Sequence, residues 1–198
     1  MVWKLVIALL LLLKFSVSEA QSFEGFVGGG ITASQVSGDS YSGFNRLGGN
    51  LGIFTFYKLS ENRRLSLGVQ FVQKGSRKTA NSSRPYNYEL RLNYIEIPLE
   101  YQFKLVNKLY FNLGISYGRL MSYKEEADYA INEDPYNKDE INAIIGFNIP
   151  LKEKLFLTLN FDNTLFFSPI RAHKGEGRHD LNWGQYNSVI VTTLNYMF

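Results

Sequence analysis

Apolar and polar residues alternate along most of this chain, and this alternation constrains the fold more than any other feature. In the segment 108–121, Leu109, Phe111 and Leu113 occupy odd positions, whereas asparagine, glycine and serine occupy the even ones. The segment 154–167 repeats the pattern. A period of two residues places successive side chains on opposite faces of a β-strand, and helical periodicity is absent after the first twenty residues. The sequence therefore predicts an all-β protein.

Eight segments carry the alternation, and the connections between them are short and long in turn. The segments predicted as strands are 23–33, 44–57, 63–75, 89–103, 108–121, 140–149, 154–167 and 185–198. The long, polar connections lie near 34–43, 76–88, 122–139 and 168–184. Since every second connection is long, all the long loops share one end. This arrangement predicts an eight-stranded antiparallel up-and-down transmembrane β-barrel with short periplasmic turns and long extracellular loops.

The start of the chain has the composition of a secretory signal peptide. A basic residue precedes an apolar run at 5–13, and Ala20 ends a stretch of small residues suited to cleavage. Lys14 stops the apolar run at about half the length that a membrane-spanning helix needs. We expect residues 1–20 to be a signal peptide and residues 21–198 to form one outer-membrane β-barrel domain.

Charge and cysteine content exclude several classes of protein. The formal net charge is +3, which is too small to argue for a nucleic-acid partner. The chain contains no cysteine, so neither disulfide bonds nor a lipid anchor on cysteine can hold an exported form of it.

The alternation alone leaves open which face of the barrel points outward. The apolar face points inward in a soluble lipocalin-type barrel and outward in a barrel that spans a membrane. The predicted strands reach the roughly 9–11 residues that a tilted transmembrane strand needs. Aromatic residues of the apolar face gather near strand ends, where the interfacial girdles of membrane barrels lie: Phe23, Tyr57, Phe103, Tyr117, Phe167, Tyr196 and Phe198. We therefore expect the apolar face to contact lipid.

The chain ends in an alternating strand, "TTLNYMF". No sheet edge can stay unpaired in a bilayer, so this strand is expected to pair with the first one. A terminal aromatic after alternating apolar residues also resembles the signal recognised by the barrel-assembly machinery, which makes that machinery an expected partner of the Phe198 strand. The predicted location is the outer membrane of a Gram-negative cell, among membrane lipid and lipopolysaccharide, with both termini in the periplasm.

Four motifs follow one another in a characteristic order. They are "GFVGGG" at 25–30, "LGVQFVQKG" at 67–75, "LNYIEIPL" at 92–99 and "LGISYG" at 113–118. Together they resemble the PorT-like outer-membrane β-barrel family of Bacteroidota, and the resemblance covers nearly the whole chain after residue 20. It implies an eight-stranded outer-membrane barrel, in most members without assigned chemistry. One branch of that family is linked to the type IX secretion machinery.

Charged residues on the polar face of the strands form a candidate site in the lumen. They are Glu24, Arg46, Lys74, Glu96, Glu100 and Asp162. Glu96 and Glu100 are four residues apart and share a face, so they could serve acid–base chemistry or proton passage. Alternatively, the set is a structural charge network that fills a lumen too narrow for a channel. We favour the network, because matching cations are present and an unpaired buried charge is costly.

Both histidines of the chain stand in the last long connection. His173 and His179 lie there with Glu176 and Asp180, and Ser168 precedes them. Metal binding or a Ser–His hydrolase that modifies lipid A is conceivable, but the spacing matches no defined site of either kind. We therefore predict a solvated loop, no catalytic residue, no metal and no cofactor.

The remaining loop charges are separated by sign. The basic segment 73–84 holds Lys74, Arg77, Lys78 and Arg84, whereas the segment 124–140 is acidic and includes Glu125 and Glu140. The two could pair across the mouth of the barrel, or the basic residues could contact lipopolysaccharide phosphates. Taken together, the sequence predicts a structural or interaction protein that acts through its outer loops. An outer-leaflet lipid-modifying enzyme and an accessory protein of a type IX-like secretion machinery are the alternatives.

Overall fold

The computed structural model describes residues 23–39, 41, 43–80, 82, 85–106, 109–129, 134–172 and 184–198. The predicted signal peptide lies outside these residues. None of the described residues belongs to a helix that is long and apolar enough to cross a membrane.

The described residues form nine strands: β1 (Phe23–Ser37), β2 (Arg46–Ser60), β3 (Arg63–Lys78), β4 (Tyr88–Lys104), β5 (Tyr110–Ala127), β6 (Asp139–Lys152), β7 (Leu155–Thr164), β8 (Arg171–Ala172) and β9 (Gly184–Met197). Strands β1 to β7 pair antiparallel in chain order, β9 follows β7, and β9 also pairs with β1. The two-residue β8 is an addition beside β9. This closed meander of eight long strands confirms the predicted all-β barrel.

The last strand closes the barrel as expected. β9 pairs with β1 from Phe26↔Met197 to Ser37↔Tyr186. Beyond this ladder the amide of Phe198 donates a hydrogen bond of 3.2 Å to the carbonyl of Gly25. The ring of Phe198 covers Gly25 so closely that a Cβ there would lie 2.5 Å from the ring. Glycine at this position therefore makes room for the terminal aromatic.

The connections alternate in length as predicted. Short turns at 61–62, 105–109 and 153–154 lie at one end, which we call the short-turn end, together with Phe23 and Phe198. The opposite, long-loop end carries the connections 38–45, 79–87, 128–138 and 165–183. Several strands continue further toward the long-loop end than the sequence predicted; β5, for example, extends to Ala127.

Apolar side chains cover the outside of the barrel through its middle. Leu51 is 63% exposed and Leu113 is 55% exposed, whereas Glu96 and Asn142, on the inward face, are completely buried. A soluble barrel would place these side chains the other way round. The outward orientation predicted for the apolar face is therefore confirmed.

The polarity of the two faces reverses near the long-loop end. On β4, Ile97 and Leu99 point outward and Glu96 points inward. Nearer the long loops, the same strand buries Leu90 and Leu92 and turns Glu89, Arg91 and Asn93 outward. Lipid requires apolar side chains outside, and water allows them inside. The reversal therefore places the edge of the lipid-facing belt between Asn93 and Ile97.

This boundary predicts that one strand responds differently to the same substitution at two heights. Leu113→Arg, in the apolar belt of β5, should cost about 2–4 kcal/mol of folding free energy in a bilayer, because the charge must enter lipid. Ser122→Arg, outward on the same strand beside Asn93, should cost about 0–1 kcal/mol. Urea titration of refolded protein in lipid vesicles, read by heat-shifted mobility on a gel, measures both. Equal costs at the two positions would contradict the proposed boundary.

Candidate functional site

A buried ion cluster occupies the centre of the barrel. The ammonium of Lys74 on β3 contacts the carboxylate of Glu96 on β4 and lies 2.6 Å from Oε1 of Glu140 on β6, and all three side chains are fully buried. Asn142 and Asn187 donate hydrogen bonds of 3.1 Å and 2.7 Å to the two carboxylate oxygens of Glu140. The cluster joins three strands from different parts of the chain through charge-assisted hydrogen bonds.

Glu140 is the member of this cluster that the sequence analysis assigned to the acidic loop. β6 begins at Asp139, so Glu140 lies inside the strand and shares the inward face with Asn142. Glu140 and Asn142 are two residues apart and therefore share one face of the strand. This spacing is the signal in the sequence that could have placed Glu140 in the lumen.

Asp162 and Glu100 lie in the same interior as Lys74 but have different surroundings. Asp162 on β7 is almost completely buried near Lys74 and Glu96, and its Oδ1 accepts no hydrogen bond from the described residues. Glu100 accepts hydrogen bonds of 2.9 Å each from Gln102 and Asn160. Glu100 is therefore held by amides, not by the ammonium of Lys74.

The other two predicted members of the lumen network lie at opposite ends of the barrel. Glu24 pairs with Lys58 at the short-turn end, where both side chains are partly exposed. Arg46 begins β2 at the long-loop end, and its Nε lies 3.5 Å from Oε1 of Glu89. The structure thus brings Lys74, Glu96 and Asp162 together and separates Glu24 and Arg46 from them. Alternation defines the face on which a residue lies but not its height along the barrel.

Amide side chains fill the lumen between the Lys74 cluster and the short-turn end. The side-chain amide of Asn112 donates hydrogen bonds of 3.2 Å to Asn148 and 3.1 Å to Asn160. Glycines opposite these amides leave the necessary space: a Cβ on Gly146 would lie 2.1 Å from Oδ1 of Asn160. A cavity of about 30 Å³ between Glu100 and Asn160 is the size of one water molecule.

Apolar clusters close the interior at both ends. Phe26, Phe56 and Phe156 form a cluster at the short-turn end, and the guanidinium of Arg64 stacks 3.7 Å above the ring of Phe56. At the long-loop end lies a cluster that we call the apolar plug: Val36, Tyr88, Leu90, Leu92, Tyr94, Tyr136 and Ile170. Sequence reasoning missed the plug, because its leucines look like lipid-facing residues.

An ion pair holds β8 over the plug. Nη2 of Arg171, on β8, donates a hydrogen bond of 2.6 Å to Glu125 on β5. The same guanidinium stacks 3.7 Å above the ring of Tyr136, and the hydroxyl of Tyr88 donates a bond of 2.8 Å to Glu125. Glu125 was also assigned to the acidic loop, because β5 is longer than the sequence predicted.

The candidate residues of the last two loops are only partly described. His173, Glu176, His179 and Asp180 lie outside the described residues, as does Arg84. Ser168 is described, and its hydroxyl accepts a hydrogen bond of 3.0 Å from the amide of Ile141, which gives it a structural contact. Within the described part of the chain, no group of three or more His, Cys, Asp or Glu side chains could hold a metal ion.

The basic and acidic segments meet at one place inside the barrel. Lys74 pairs with Glu140 in the lumen. Arg77 is exposed and Lys78 is half-buried at the end of β3, and neither makes an ion pair with any described residue. Pairing of these two cations with the acidic segment therefore stays a prediction.

A closed antiparallel barrel with an apolar outer belt and a filled polar interior has the architecture of a small outer-membrane β-barrel protein. The sequence agrees with this class, because it matches the family model described as outer membrane protein beta-barrel domain over residues 5–198. The chain belongs to this family, which is described by its fold and not by a reaction. No curated protein matches the chain.

Solved structures similar to this chain include two small barrel proteins. Neisserial surface protein A (NspA) is 13% identical with a TM-score of 0.50, and the match covers 88% of this chain and 97% of that one. Ail, the attachment invasion locus protein of Yersinia pestis, is 15% identical with a TM-score of 0.48, covering 88% of this chain and 98% of that one. At these identities the likeness concerns the fold and assigns no role to this chain.

Removing the central cation should destabilise the barrel strongly. Lys74→Met leaves the buried carboxylates of Glu96 and Glu140 without a counter-charge, which typically costs about 3–5 kcal/mol. Lys124→Met is the matched control, because Lys124 pairs with Glu126 where both side chains are exposed, and it should cost about 0–1 kcal/mol. Urea unfolding in vesicles measures both. Adding Glu96→Gln and Glu140→Gln to Lys74→Met should restore part of the loss; no restoration would contradict the charge argument.

The connection between β1 and β2 should respond to pH through Asp39. Burial raises the pKa of Asp39 to about 6, so the folded protein binds this proton more tightly than the unfolded chain. The stabilising contribution is full below the unfolded pKa near 3.8 and is lost as the pH rises through about 6. Asp39→Asn should therefore match the wild type in thermal stability at pH 4 and exceed it at pH 7.5. The same difference at both pH values would contradict this assignment.

Proposed function

We propose that this protein is an outer-membrane barrel with a closed lumen that acts through the surface at its long-loop end, as a structural or interaction protein. The observation that carries this proposal is the filling of the interior. An eight-stranded barrel leaves room only for side chains, and here the described side chains use that room in three successive layers.

We infer from three layers of side chains that the described part of the barrel holds no continuous path. The phenylalanine cluster and Arg64 occupy the short-turn end, the amides and the Lys74 cluster occupy the middle, and the apolar plug occupies the long-loop end. The cavity of about 30 Å³ beside Glu100 extends from Phe26 of the phenylalanine cluster to Asn160 of the amide layer. A protein with this interior offers a partner its outer surfaces and not a passage.

The orientation follows as part of the same proposal. We place the long-loop end outside the cell and the short-turn end, with Phe23 and Phe198, in the periplasm. This orientation is supported by the long strand extensions with polar outward residues such as Arg91, which suit an aqueous surface. This orientation also puts the C-terminal end of the last strand, next to Phe198, on the periplasmic side, where the barrel-assembly machinery would bind that strand.

Membership of the PorT-like branch and a role beside a secretion machinery are a second, finer proposal. The motif "LNYIEIPL" at 92–99 supports it, because this segment carries both Glu96 of the central cluster and the lipid-facing residues of β4. The motif is thus tied to the packing of the barrel. A partner in secretion would have to contact the surface and not the lumen.

Planar-bilayer recordings test the closed lumen. The purified protein should give no stable single-channel steps. Leu90→Ser combined with Leu92→Ser should remain silent as well, because the Lys74 cluster and the amide layer still fill the lumen below the altered plug. Stable steps from the wild-type protein would contradict the proposal, and heat-shifted mobility of each sample confirms that the barrel is folded.

Complementation of a deletion strain tests the role of the surface. One strain receives the wild-type gene, and another receives a barrel in which the connections 38–45, 79–87 and 128–138 are replaced by short turns. If the proposal is right, a defect in outer-membrane permeability or in the secreted proteome is repaired by the first gene and not by the second. A change in lipid A mass on deletion, repaired by both genes, would instead support a lipid-modifying enzyme.

A further inference from the structure

Three arginines surround Glu89 near the long-loop end. Arg77 and Arg91 lie on the outward face, and Arg46 reaches the same carboxylate from the first residue of β2. Nη2 of Arg91 donates a hydrogen bond of 2.7 Å to Oε2 of Glu89, and Nε of Arg46 lies 3.5 Å from Oε1 of the same carboxylate. Arg77 on β3 stands directly opposite Glu89 on β4. We call Arg46, Arg77 and Arg91 the outer arginine cluster.

Positive charge exceeds negative charge at this place. The carboxylate of Glu89 is shared among the three members of the outer arginine cluster. Glu126, opposite Glu89 on β5, has its charge balanced by Lys124, with which it pairs at 2.6 Å. Arg77 and Lys78, within the described residues, make no ion pair. They line an open cavity of about 430 Å³ together with Asn45 and Thr79. This cavity borders the outer arginine cluster at Arg77 and leaves room there for a further anion.

The cluster lies just above the lipid-facing belt. Between the two stands one polar pair, in which the side-chain amide of Gln73 donates a hydrogen bond of 3.2 Å to Asn93. Arg91 precedes the outward-facing Ile95 by four residues, which is about 13 Å along a strand and about 10 Å along the membrane normal for a tilted one. The headgroup region is about 5–8 Å thick on each side. The flexible side chain of Arg91 can therefore reach the level of the headgroups, and Arg77, opposite Glu89, lies about 5 Å further out.

Phosphate is the anion that suits this arrangement. Guanidinium groups bind phosphate oxygens in a bidentate manner, and several of them around one site neutralise a doubly charged group better than a single one can. Glu89 orients Arg91 and Arg46 without cancelling the excess charge. Membrane lipid is the source of phosphate that always lies at this height beside an outward-facing surface.

We infer that the outer arginine cluster binds the phosphate groups of the outer-leaflet glycolipid, with Arg77 and Arg91 contacting the phosphate and Glu89 and Arg46 holding them in place. The site is on the outer surface of the barrel just above the lipid-facing belt and is independent of the closed lumen and of any partner at the loops. It gives the protein a fixed orientation and a bound lipid neighbour on the β2–β4 side.

Native mass spectrometry of the full barrel, released from nanodiscs that contain bisphosphorylated lipid A, tests the inference. The wild-type protein should retain lipid A, and Arg77→Gln combined with Arg91→Gln should reduce the apparent affinity by about tenfold or more, because two charge-assisted hydrogen bonds are lost. Glu89→Gln should increase the affinity, because the competing carboxylate disappears while its amide still accepts a hydrogen bond.

The matched control is Arg119→Gln. Arg119 also points outward, but both oxygens of Asp139 accept hydrogen bonds from it at 2.7 Å and 2.8 Å, so its charge is already neutralised. This variant should bind lipid A as the wild type does. Equal loss from Arg119→Gln and from the Arg77 and Arg91 variant would overturn the assignment of the site.

The chemical source of the phosphate is tested with two further probes. Lipid A from which both phosphates have been removed should not be retained. Inorganic phosphate and a soluble sulfated polysaccharide should compete only weakly, because neither is anchored at the height of the site. Retention of dephosphorylated lipid A would overturn the phosphate contact, and equal competition by the soluble polyanion would overturn the lipid source. Heat-shifted mobility verifies that every variant is folded.

Discussion

Hydrogen bonding between the first and last strands is the constraint on which the rest of this structure depends. β1 and β9 pair along nearly their whole length, so no strand edge is left to face hydrocarbon, where an unpaired backbone group has no water to bind. Closing eight strands also determines the width of the interior. Every inward side chain must therefore contact others, and Lys74 finds Glu96 and Glu140 at short distances because the barrel has no space to separate them.

The alternation of apolar and polar residues suits both parts of the barrel wall, the part that contacts lipid and the part that contacts water. In the middle of the barrel the outer face is apolar and the amides lie inside; near the long loops Leu90 and Leu92 turn inward while Glu89 and Arg91 turn outward. The strand keeps its direction. Only the set of alternate positions that holds the apolar residues changes from the outward-facing to the inward-facing one. The apolar plug and the outer arginine cluster are thus the inner and outer faces of one segment of β4, produced by its emergence from lipid.

The sequence alone predicted the class of fold, the number of long strands and the outward direction of the apolar face, because each of these depends only on local alternation and loop length. It could not predict how far along the barrel axis each residue lies. Glu24 and Arg46 have the correct parity for the lumen, yet they lie at opposite ends. Glu140 and Glu125 were counted as loop charges because strand ends are not marked by the pattern. In addition, a β-bulge in β5 opposite Asn93 and Tyr94 exchanges which alternate residues of that strand point inward. The sequence of β5 alone does not indicate this bulge.

The Lys74 cluster has a consequence for how the family can diverge. Its two carboxylates come from positions 22 and 66 residues further along the chain, so a mutation at one of the three positions is tolerated only when another changes with it. Leu51 and Leu113 are exposed on the lipid-facing side, so each can be exchanged for another apolar residue without a change elsewhere. Over many generations the outer surface should drift freely, while the interior changes in linked steps, and homologues should show covariation among inward positions of β3, β4 and β6.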